Sequence, residues 1–170
     1  MKKIIIIAAG LIGFTISANA QATATATASA TIVTPITINK DVDMNFGNVA
    51  VSATTGGTVV MTPAGARTAA SGVTLPAVAG SPTAASFTVS GESGYTYAIT
   101  LPTTPLTITS GSNTMTVDNF ISNPSGTGTL SVGATASQTL QVGATLNVAA
   151  GQASGTYTST TPFPVTVNYN

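Results

Sequence analysis

Beyond an apolar opening, hydrophobic and polar residues alternate along most of this chain in short runs, each broken by Gly, Pro, Asn or Ser. A period of two is that of a half-buried strand, and no window carries the spacing of a long helix. The runs predict strands at 22–33, 36–38, 44–46, 57–62, 85–90, 95–101, 106–108, 114–117, 138–142, 144–148, 156–159 and 163–169, with some neighbours merging. Turn signals such as Ser90-Gly91, Ser110-Gly111 and Ala150-Gly151 separate them.

Many short strands with close turns favour an antiparallel sandwich over alternating strands and helices. The expected fold is all-β, an antiparallel immunoglobulin-like β-sandwich, with the alternative that it is incomplete and completed by an added strand. The two ends carry the clearest patterns. From Ala22 to Ile32, Ala22, Ala24, Ala26, Ala28, Ala30 and Ile32 fall on one face of an extended chain, and Thr or Ser falls on the other. Near the C-terminus Phe163, Val165, Val167 and Tyr169 share a face opposite Pro164, Thr166 and Asn168. The first pattern is open between a terminal linker and a strand, and the second is at least the last core strand of the sandwich.

The opening segment changes the compartment. Lys2 and Lys3 precede an apolar run over 4–16 and then Ala18-Asn19-Ala20, the layout of a secretory signal peptide ending before Gln21. The run is shorter than the roughly 20 residues that span a bilayer. The organisation expected is a signal peptide over 1–20, an alternating extension over 21–34 and a β-sandwich domain over 35–170. Export through a periplasm to the cell surface or medium follows. The chain has no cysteine, so neither a lipid-bearing cysteine nor a disulfide is available, and core burial must hold the fold.

Charge excludes several partners. Of four basic residues, two leave with the signal, so Lys40 and Arg67 face Asp41, Asp43, Glu92 and Asp118, a net of −2. Two cations make no stripe for nucleic-acid phosphates and no patch for anionic lipid. Disorder of the whole chain is disfavoured by a mean hydropathy of +0.41 and by the recurring β-branched runs.

Candidate chemistry is sparse. No His or Cys is present to serve as base, nucleophile or metal ligand, and without Trp no aromatic-lined cleft accompanies the carboxylates Asp41 with Asp43 or Glu92 with Asp118. No catalytic residue, metal site, cofactor or small-molecule substrate is assigned. Asp41 and Asp43, in step with Asn39 and Asn45, offer alternating oxygens of the kind calcium takes, but that spacing is also the solvated face of a strand, which is the expectation here. Gly56-Gly57 and Gly126-x-Gly128 lack the Lys and helix of a phosphate loop and read as turns.

Ala28-Ser29-Ala30-Thr31-Ile32-Val33-Thr34-Pro35-Ile36-Thr37-Ile38, Met44-Asn45-Phe46-Gly47-Asn48-Val49, Ala144-Thr145-Leu146-Asn147-Val148, Gly155-Thr156-Tyr157-Thr158 and Val165-Thr166-Val167-Asn168-Tyr169 together resemble the secreted bacterial domain of unknown function 4402. Asn45-Phe46-Gly47, Gly155 and the closing Tyr169 also resemble chaperone–usher pilin subunits of the archaic type. That second resemblance implies a sandwich lacking its last strand, completed by the N-terminal extension of the next subunit. It implies Ala22–Ile32 as the donor, the 163–169 strand as a groove wall and chaperone-binding strand, and a periplasmic chaperone, an outer-membrane usher and copies of the chain as partners. The run of alanines departs from the bulkier anchors of pilin donors. The expected function is a non-catalytic structural or adhesive surface protein, pilin-like and assembled by strand addition. The alternative is a self-contained module that binds a glycan or protein through its loops.

Overall fold

In a computed structural model, residues 21–134 and 136–170 are described; the expected signal peptide lies outside them. Residues 21–32 belong to one compact unit and Val33–Asn170 form another. In the first, residues 21–32 carry no regular secondary structure and are exposed, Ile32 to 96%. The strand expected at 22–33 is therefore absent. Alternation alone does not make a strand: the ladder needs a partner for its N–H and C=O groups, and alanine methyls bury too little to recruit one.

The second unit is all-β, with twelve strands among the described residues: β1 (Thr37–Val42), β2 (Ala50–Val51), β3 (Gly57–Met61), β4 (Arg67–Ser71), β5 (Val73–Thr74), β6 (Ala85–Ser90), β7 (Thr96–Thr100), β8 (Leu106–Ser110), β9 (Asn113–Asn123), β10 (Thr127–Thr129), β11 (Ser137–Val148) and β12 (Thr166–Tyr169). Every pairing is antiparallel. The expected runs at 138–142 and 144–148 merge into β11, and those at 44–46 and 156–159 contribute only isolated bridges, Asn45 with Thr83 and Thr158 with Thr109.

β11 is the spine. One edge pairs with β6 through Val142 and then with β3 from Ala144 on, while the other pairs with β9. Outward flanks are β1 on β6, β4 on β3 and β8 on β9, giving a seven-stranded sheet that curls into a half-barrel. Gly143 sits at the changeover, where a Cβ would run into the Met61 carbonyl, so only glycine lets the end of β3 lie there. A three-stranded sheet, β10-β7-β12, and a two-stranded ribbon, β2-β5, complete the structure.

Leu140, Val142, Ala144, Leu146 and Val148 alternate along β11 and are all buried. The first two join Val89 of β6 with Tyr97 of β7 and Val167 of β12 in one core cluster, so the two larger sheets share a core. The rest join Val59, Val117 and Val73 in a second cluster beneath the ribbon. Tyr97 is fully buried and its hydroxyl donates to the Gln138 side-chain oxygen at 2.8 Å. Its ring lies where Gly128 would carry a Cβ; Gly128, expected in a turn, is a strand residue, as is Gly57 at the start of the strand expected at 57–62, and both let neighbours close in. In β9 the register shifts where Asn119, at φ 47°, and Phe120 add to the strand opposite Ala144. This bulge brings both Val117 and Phe120 inward.

A candidate strand-acceptor edge

β12 has the composition of a half-buried strand. Phe163, Val165, Val167 and Tyr169 all pack on the first core cluster, and Val167 is 8% exposed. The intervening Pro164, Thr166 and Asn168 are exposed. Only 166–169 are paired; Pro164 has no N–H to give a ladder, so the expected strand at 163–169 starts three residues late.

Its pairing defines a free edge. β12 bonds only to β7, with Thr166 opposite Thr100 and Tyr169 opposite Tyr97. The Asn170 N–H donates to the Thr96 carbonyl, so the hydrogen-bonded pairs with β7 are those of even number on β12. The N–H and C=O groups of Val167 and of the Tyr169 backbone therefore face away from β7, toward an edge that has no strand among the described residues. β1 is likewise a terminal strand, paired only with β6. The two free edges approach each other.

Tyr169 ties one end of this gap. Its hydroxyl donates to the Thr34 carbonyl at 2.7 Å and accepts from the Glu92 N–H at 2.5 Å, and the Thr34 N–H donates to the Glu92 carboxylate at 2.8 Å. The Thr34 backbone N–H first, and the Thr34 side chain after it, hold the Glu92 carboxyl below its ordinary range by bonding its charged form. Tyr95 packs edge-on against the Tyr169 ring, centroids 5.6 Å apart. Ile36 and Ile38 of the β1 side and Val165 and Phe163 of the β12 side line the gap, all half-buried. At the far end Lys40 carries the β1 inner face into solvent, its ammonium 2.8 Å from Asp43.

The sequence pattern singled out the β12 face and these four residues share it. It missed Glu92, Thr34, Phe87 and Phe120, whose roles rest on partners far away in the chain. Of the carboxylates weighed for calcium, Asp43 is held by Lys40 and Asp41 accepts from the Thr88 hydroxyl at 2.8 Å, so the two do not converge. Among the described residues no cluster of three or more acidic residues could hold a metal ion.

The family model of a domain of unknown function, DUF4402, matches residues 36–169, and the chain belongs to that family. No curated protein and no solved structure matches it.

Proposed function

From that membership and the two free edges, we propose that this protein is a non-catalytic exported structural or adhesive surface subunit that assembles by β-strand addition. Its fold is then read as an immunoglobulin-like sandwich short of one strand. The observation that carries this is the pair of unpaired edges, β1 and β12, on either side of half-buried Ile36, Ile38, Phe163 and Val165. Exposed N–H and C=O groups beside apolar side chains are what an incoming alternating strand satisfies together.

The same chain carries a segment with that pattern. Residues 22–32 alternate, are exposed, and extended would reach roughly 36 Å at about 3.3 Å per residue. Seven residues over 163–169 need roughly 23 Å on the same scale. A copy of the chain is therefore long enough to line the edge of its neighbour. Before assembly, a periplasmic chaperone strand would cover β12, and an outer-membrane usher would exchange it.

Size-exclusion chromatography and electron microscopy of the secreted protein test this. Deleting residues 21–31 should leave a folded β-rich monomer and abolish oligomers. Ala28→Lys should act likewise, because its charge would enter an apolar site without a partner, whereas Thr27→Lys on the opposite face should be tolerated. Assembly untouched by all three changes identifies the segment as a linker and returns the protein to the class of self-contained binding modules. Unfolding by the deletion and by Ala28→Lys makes it an internal strand.

A further inference from the structure

An incoming strand along the β12 edge would point alternate side chains into the gap between the sheets, and that gap is already occupied. Phe163, just ahead of β12, packs on Phe120 of β9 with ring centroids 4.9 Å apart, and edge-on against Phe87 of β6 at 6.5 Å. The three rings come from separate elements and all pack on the first core cluster, whose Val89, Leu140 and Val142 are wholly inaccessible. No fully buried residue of this cluster waits for a foreign anchor; Ile36, Ile38, Val165 and the rings of Phe87, Phe120 and Phe163 stay half-buried at its margin.

Resting on the strand-addition reading, we propose that the acceptor edge selects a strand whose inward side chains are small, and that Phe163 sets this limit. The alternating alanines of residues 22–30 in a second copy fit it. Each methyl covers the rim without displacing a ring, while the hold comes chiefly from backbone hydrogen bonds to the free edge. Ile32, the one large member of that face, is the last residue before the second unit in sequence. The alanine run is thus a match to a self-filled groove.

A size exchange tests this in the full secreted protein, with self-association measured by light scattering across a concentration series. Ala28→Leu should weaken association about tenfold, the effect of overpacking a filled site. Phe163→Ala should accommodate it, so that Ala28→Leu with Phe163→Ala associates more tightly than Ala28→Leu alone. Circular dichroism verifies folding of each variant, and Phe163→Leu replaces Phe163→Ala if the latter does not fold. Tighter association by Ala28→Leu in the unaltered acceptor would show an open groove and overturn the size limit while leaving strand addition intact. A monomer at every concentration, or association indifferent to Ala28→Lys and Ala28→Leu alike, would overturn strand addition and the size limit with it.

Discussion

Tyr169 and Thr34 lie 135 positions apart in the chain, yet the tyrosine hydroxyl donates to the threonine carbonyl at 2.7 Å. The end of the last strand and the entry to the first are thereby joined. Gly91 permits it, since a Cβ there would overlap the Tyr169 hydroxyl. Tyr169→Phe keeps the ring against Tyr95 and removes only the oxygen. It should lower unfolding free energy in urea by about 1 kcal/mol, a net hydrogen-bond contribution at a site that water can reach.

Acid should loosen the same junction. The folded-state pKa of Glu92 lies below the unfolded one because the carboxylate accepts from Thr34. A depressed carboxyl stabilises the fold above the unfolded value, and this is lost as pH falls through the folded value. The thermal midpoint of the native protein should therefore exceed that of Glu92→Gln near neutral pH, and the gap should close below the ordinary glutamate range. A gap constant across an acid titration would show that the Glu92 charge plays no part.

Gly143→Ala should be among the most damaging single-methyl changes. The added Cβ meets backbone, the Met61 carbonyl, which cannot swing aside without breaking the β3 pairing. A loss of roughly 2–3 kcal/mol in chemical denaturation is expected. Gly111→Ala provides the contrast: nothing lies near its Cβ, and only its φ of 58° opposes the change, at about 1 kcal/mol.

Calcium should leave stability unchanged. Asp43 is committed to Lys40 and Asp41 to Thr88, so no pair of free carboxylates faces one point. Calorimetry with millimolar calcium and with chelator should give the same midpoint, because only a ligand that binds the native state raises it.

How far the residues announced all this differs by element. The inner face of β12 was legible, since Val167 and its neighbours alternate without interruption. So was β11, where five apolar residues recur at every second place. β4 was not, because Arg67–Ser71 holds mostly Thr, Ala and Ser, and its place depends on pairing with β3. The stretch 22–33 shows the converse: its alternation is as regular as any in the chain, but no ladder accompanies it. Period reports which face could be buried; a partner decides whether it is. The latch residues Glu92 and Thr34 gave no local signal, since a backbone N–H finding a carboxylate 58 positions away leaves no mark on either neighbourhood.

The position of β11 also governs when the molecule can form. Strands β3, β6 and β9 all precede it and all depend on it as their shared partner. While a ribosome has released only the first 136 residues, these three have no common sheet to join, and β7 still lacks β12. The contacts that close the core span long stretches of chain, which makes collapse slow and late.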